Sequence, residues 1–149
     1  MADSYTQLFI HIVFATRHRE RIIPPQHKEE LHKYITGIIK NKGSLLLAIN
    51  CVPDHMHILI ALKQTTALSD LVRDIKCYSS LFINEQQWLT CRFAWQEGYA
   101  AFSCSPDHCE RVKEYIARQE EHHCNTTFEE EYLNLLQEYG VEFDMKYVF

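Results

Sequence analysis

Glycine and proline are scarce in this chain, four of each among 149 residues. That composition excludes collagen-like and low-complexity architectures. No Gly/Ser-rich linker and no internal repeat divides the sequence, so residues 1–149 are expected to form one domain. Long apolar runs are also missing. The densest, Leu45-Leu46-Leu47-Ala48-Ile49, falls far short of the roughly 18 residues of a membrane span. The start, Met-Ala-Asp-Ser, lacks a basic region and an apolar core, so no signal peptide and a cytoplasmic location are expected. Six cysteines are present, at 51, 77, 91, 104, 109 and 124, but no CxxC pair. The expected reading is thiols in a reducing compartment, most of them small buried hydrophobes. A basic excess is absent as well: net charge is −5, with +2 over residues 1–74 and −7 over residues 75–149. Binding of nucleic acid by bulk charge alone is thereby excluded, and a nucleic-acid partner would need local basic patches.

What is present is 46% hydrophobic and 23% charged, a globular balance. Leu8 to Phe14 is a β-rich run that ends in the basic cluster Arg17-His18-Arg19-Glu20-Arg21. Pro24-Pro25 opens a helix in which Leu31, Tyr34, Ile35 and Ile38 share one face, and Gly43 ends it. Leu45–Val52 and His55–Leu62 read as a strand pair around Pro53-Asp54. A second helix starts near Leu68, with Leu68, Leu71, Val72, Ile75 and Leu81-Phe82 as its apolar face. A fourth strand falls within Phe93–Ser103, interrupted by Gly98. Ser105-Pro106 starts a third helix that runs to about His123. Thr126 or Thr127 caps an acidic helix, Phe128 to Tyr139, which stops at Gly140. The order predicts an α+β fold: a ferredoxin-like, RRM-like antiparallel sheet (βαββαβ) with additional C-terminal helices. That scaffold serves many functions and decides none.

Three segments carry chemistry. In Pro53-Asp54-His55-Met56-His57-Ile58-Leu59-Ile60, strand alternation puts both imidazoles on one face and Met56, Ile58 and Ile60 on the other. Paired imidazoles can ligate zinc, manganese or nickel, and two ligands fix no metal. In the third helix, Arg118, Gln119 and His122 share the face of Tyr115, beside a Cys109, Val112, Ile116 stripe. Phe93 to Ser103 is dense in aromatics. Such residues can stack on unpaired bases, but Trp95 and Phe102 are read as core or as a dimer seam.

A His-hydrophobe-His strand followed by a Tyr-x-x-x-Gln helix resembles the single-tyrosine HUH transposases of the insertion-sequence 200/605 type. The resemblance runs from about Tyr5 to Tyr147 and includes PDHMHILI, WQEGYAAFS, YIARQEEHH and GVEFDMKYVF. The acidic C-terminal half and Cys104, where an aliphatic residue is expected, depart from the pattern. The resemblance implies cutting and rejoining of single-stranded DNA at mobile-element ends, through a 5′-phosphotyrosine. It makes Tyr115 the nucleophile and His55, His57 and Gln119 the ligands of a divalent ion, Mg²⁺ or Mn²⁺. It implies a homodimer joined sheet edge to sheet edge, DNA hairpins near the element ends as substrate, no membrane and no ATP. The protein would associate with the nucleoid when it acts. Arg17, Arg19, Arg21, Lys40, Lys42 and Arg73 are the expected phosphate contacts. This reading is compatible with Tyr115 acting in cis or in trans. The competing readings are a relative that processes repeated chromosomal palindromes, a non-enzymatic nucleic-acid binder, and a Cys/His metal-storage or redox protein.

Overall fold

The computed structural model describes residues 2–149. Its elements in chain order are β1 (Phe9–Ala15), α1 (Lys28–Asn41), β2 (Leu45–Val52), β3 (His55–Ala61), α2 (Leu68–Gln86), β4 (Ala100–Cys104), α3 (Pro106–Ala117), α4 (Gln119–His122) and α5 (Phe128–Glu138). Short 3-10 turns at Arg17–Arg19 and Pro25–His27 join β1 to α1. The four strands form one antiparallel sheet in the order β2-β3-β1-β4, as the βαββαβ reading requires.

Strand alternation assigns each face. Ile12 and Phe14 of β1 and Met56, Ile58 and Ile60 of β3 join Leu31, Ile35 and Ile39 of α1 and Leu71, Val72 and Ile75 of α2 in the main core. The opposite face is covered too. Val13, Ala15, Ala100 and Phe102 pack on Phe128, Tyr132, Leu135 and Leu136 of α5, and Leu59 packs on Cys109 and Ile116 of α3. Both faces of β3 are therefore covered, and His55 to Ile60 are buried without interruption.

Several expectations need correction. Leu81 is 48% exposed, and Ser79 takes a buried place on α2 instead, where its hydroxyl accepts from the Trp95 indole N–H at 2.9 Å. Trp95 and Phe102 are core residues. Only Cys51 and Cys109 of the six cysteines are buried; Cys77, Cys91 and Cys124 are exposed, and all six are free thiols. The fourth strand begins after Gly98, not before it, while Trp95 makes an isolated bridge to Thr16. Ser105 is extended as an N-cap requires, but its side chain makes no capping bond. The helix expected to reach His123 breaks at Arg118, which separates α3 from α4. Thr127, by contrast, forms a full capping box with Glu130.

Candidate active site and metal centre

His55 and His57 alternate with core residues on β3 and point to the face covered by α3, α4 and α5. Both are fully buried. Each is oriented through Nδ1. His55 Nδ1 lies 2.7 Å from Asp54 Oδ1, and His57 Nδ1 lies 2.8 Å from Nε2 of His11. His11 sits diagonally across β1, since Val13 pairs with His57 and His11 with Leu59. These contacts turn both Nε2 atoms toward a common centre, the arrangement in which outer partners fix the tautomer of a metal-binding histidine.

Gln119 and Tyr115 complete the group. The backbone break at Arg118 starts α4 with a buried Gln119, whose Oε1 stands 3.3 Å from His55 Nε2. Its amide donates to the Tyr115 carbonyl at 3.3 Å. Asn50 of β2 donates to the Ile116 carbonyl at 2.8 Å and so anchors the end of α3. The Tyr115 ring packs edge-on against His57, with centroids 5.6 Å apart, in the same chain. Its hydroxyl donates to Glu131.

Glu131 is the residue that sequence reasoning missed. It projects from α5 into the centre and is 3% exposed. Its Oε1 lies 2.9 Å from His57 Nε2, 3.2 Å from His55 Nε2 and 3.1 Å from His123 Nε2; its Oε2 faces Tyr115 and, at 3.3 Å, His122. The signal was present: Phe128, Tyr132, Leu135 and Leu136 mark the apolar face of α5, and Glu131 lies within that face. His11 had a weaker signal, a polar side chain facing the same way as Val13 and Ala15.

The charges follow from burial and neighbours. Burial opposes the imidazolium of His55, but its bonds to Asp54 and Glu131 and their charges raise its pKa above the ordinary value. Burial dominates at His57 and lowers it, despite Glu131. His11, desolvated and next to His57, is pushed down to about 3 and is neutral. Burial opposes the carboxylate of Glu131, yet the imidazoles of His123, His55 and His57 against it hold it well below the usual range. Tyr115 is raised by burial first and then by the Glu131 charge, so its phenol is protonated.

The donor set suits a divalent ion. Ligand atoms of His55, His57, His123 and Glu131 all lie within 4.8 Å of one another. His123 Nδ1 donates to the Thr126 carbonyl at 2.7 Å, which leaves its buried Nε2 without a hydrogen-bond partner. A buried nitrogen without a hydrogen-bond partner, beside a carboxylate and two further imidazoles, is what a cation would satisfy.

The expected phosphate contacts do not form one patch. Arg17, Arg19 and Arg21 follow β1, close to the site; Arg19 pairs with Glu129 at 2.5 Å and Arg21 with Asp54 at 3.6 Å. Lys40, Lys42 and Arg73 lie on the α1/α2 layer, across the sheet from the histidines. Lys42 pairs with Asp74 at 3.3 Å, and Arg73 with Asp70 and Asp74 at 3.2 and 3.3 Å.

Known proteins share this fold. A crystal structure of a candidate transposase from Deinococcus radiodurans superposes with a TM-score of 0.63 at 20% identity, covering 80% of this chain and 96% of that one. A REP-associated tyrosine transposase bound to a REP hairpin superposes with a TM-score of 0.63 at 17% identity, covering 83% and 73%. In sequence, the ISDra2 transposase TnpA of Deinococcus radiodurans is 21% identical over 118 residues, 76% of this chain and 84% of that protein. The family described as "Transposase IS200 like" matches residues 4–119, from before β1 to the first residue of α4. The chain therefore belongs to the IS200-like transposase family.

Proposed function

We propose that this protein, as a single domain over residues 1–149, cuts and rejoins single-stranded DNA at mobile-element ends. The observation that carries the reading is the convergence of Tyr115, His55, His57 and Gln119, from three elements of one chain, on one buried centre. His55, His57 and Gln119 hold a divalent ion, Mg²⁺ or Mn²⁺. When bound, such an ion polarises the scissile phosphate and offsets charge on its oxygens.

Tyr115 supplies the nucleophile. In the described state its phenol is engaged by Glu131, so attack requires the hydroxyl to exchange that carboxylate for the phosphate. Its oxygen then bonds to phosphorus and the bond from phosphorus to the 3′ oxygen breaks. The phenol gives up one proton and the 3′ oxygen takes one up. A phosphodiester becomes a 5′-phosphotyrosine diester, so bond energy is retained and no ATP is needed. Attack by another 3′ hydroxyl reverses the step and joins strands. The proximity of Tyr115 to His57 supports action in cis. β4 ends the sheet on one side and offers a strand for edge-to-edge pairing in a homodimer. The Arg17–Arg21 turn is the favoured phosphate contact, because it lies on the active-site side.

One structural neighbour is bound to a REP hairpin, which favours hairpin DNA as substrate here. It also supports a second reading, in which the hairpins are repeated chromosomal palindromes. A covalent-adduct assay tests both. Oligonucleotides tiled across the flanking DNA, and hairpins from dispersed palindromes, are incubated with protein and Mg²⁺ or Mn²⁺, with Tyr115→Phe and EDTA as controls. A protein–DNA band on denaturing gels, lost in both controls, is expected on the flanking strands. A band on palindromes alone selects the second reading. Absence of any band on every strand with both metals overturns the strand-transfer proposal.

A further inference from the structure

The family match stops at Gln119, and two groups packed against the histidines, Glu131 and His123, lie beyond it. We propose that Glu131 and His123 are ligands of the divalent ion, through Oε1 and Nε2, so that α5 is part of the metal centre. This rests on the metal reading given above and extends its ligand set.

Distances support the assignment. Two donors at right angles around an ion with bonds of about 2.1 Å stand about 3.0 Å apart. Glu131 Oε1 lies 2.9, 3.2 and 3.1 Å from the Nε2 atoms of His57, His55 and His123. The Gln119 Oε1 to His55 Nε2 separation is 3.3 Å. These four contacts, among donors from β3, α4, the turn after α4, and α5, are spaced as neighbouring ligands are.

The unpartnered nitrogen of His123 is a second observation. His123 is 8% exposed at its side chain and gives its Nδ1–H to the Thr126 carbonyl. Its Nε2 is buried without a hydrogen-bond partner and lies 3.1 Å from Glu131 Oε1. An ion bound by both atoms would satisfy that nitrogen. The carboxylate adds the negative charge that a His/Gln set lacks, which suits a hard divalent ion such as Mn²⁺.

One consequence concerns the nucleophile. With Oε1 on the ion, Oε2 of the same carboxylate is the group that faces the Tyr115 hydroxyl. Glu131 then fixes the distance between ion and phenol, and the ion in turn latches α5 to the sheet.

The test uses the full chain without DNA. Mn²⁺ affinity is measured by electron paramagnetic resonance for wild type, His57→Ala, Glu131→Gln and His123→Ala. Hydrogen exchange of the α5 amides is followed with and without Mn²⁺. Loss of an outer-shell partner already costs about 10-fold in affinity, so Glu131→Gln and His123→Ala are each expected to lose at least about that much. Mn²⁺ is expected to slow exchange in α5 of wild type and not of Glu131→Gln. Should a variant fail to fold, nitrogen modulation from Mn²⁺ in the wild-type chain decides: three imidazoles support the proposal and two overturn His123. Glu131→Gln and His123→Ala binding like wild type, while His57→Ala does not bind, overturns this inference alone. Wild type failing to bind Mn²⁺, or His57→Ala binding normally, overturns the metal reading beneath it as well.

Discussion

His11 illustrates how much one buried side chain can decide. Its ring stacks on His57 with centroids 5.1 Å apart and meets Nδ1 of that residue through Nε2. Burial, with His57 alongside, keeps His11 neutral, its pKa down at about 3 from an ordinary 6.5. An unfolded His11 takes up a proton below pH 6.5 that the folded chain refuses. Stability from this group is therefore complete above pH 6.5 and falls as pH drops toward 3, by at most about 1.4 kcal/mol per pH unit. In His11→Gln that dependence is gone, so urea unfolding in EDTA between pH 7 and pH 4 should show a shallower loss than wild type. Equal slopes would mean that His11 is not held neutral. The carboxylates of Asp54 and Glu131 and the raised His55 remain in both chains and drop out of the comparison to first order. At Tyr115 a single oxygen is at stake. Tyr115→Phe should abolish the covalent adduct and leave DNA binding intact, whereas replacing both His55 and His57 by Ala should abolish metal-dependent cleavage. Cleavage that survives either change overturns the corresponding role.

Among the elements, α5 matters most to the site and has a clear local origin. Thr127 accepts from the Glu130 N–H at 3.2 Å, Glu130 reaches back to the Thr127 N–H at 3.4 Å, and three glutamates occupy the first turn. Phe128 then packs on His55 with ring centroids 4.7 Å apart, so the start of the helix is also the roof of the candidate metal centre. Thr127→Ala should cost about 1 kcal/mol. In a chain of this length that corresponds to a melting temperature lower by roughly 2–4 °C. Hydrogen exchange should quicken first at the α5 amides, and exchange that quickens equally across β1 and β3 would contradict an independent docking of this helix. At the end of α1, Gly43 adopts φ +84, and a Cβ there would lie 2.8 Å from Lys63 Cδ. The turn into β2 thus has a steric reason for glycine.

For the whole molecule, the arrangement of layers explains why the site histidines are buried. α1 and α2 cover one face of the sheet while α3, α4 and α5 cover the other, and the histidines stand between the sheet and the second layer. All of the groups converge within one chain. If Tyr115 acts in cis, a mixture of Tyr115→Phe protein with the His55→Ala, His57→Ala double variant should form no adduct, because neither chain holds a complete site. Adduct restored on mixing would show that the tyrosine helix serves a partner chain. Either outcome is read from the same denaturing gel.

The sequence by itself determined the sheet and its order. Periods of two and of 3.6, Pro24-Pro25, Gly43 and Thr127 are local signals, and β2 and β3 lie within a residue of where they were expected. It also placed His55 and His57 on one face, because alternation depends only on their spacing. Tertiary structure alone decided which groups meet them. His11 reaches His57 through a register between β1 and β3 that their spacing does not encode. Glu131 comes 74 residues after His57, carried in by a helix whose apolar face had to find the one side of the sheet left uncovered. The split at Arg118 likewise exists because Gln119 turns inward to a centre that helical periodicity alone does not reveal. A buried charge is tolerated only where such partners converge, and convergence is a property of packing across the chain.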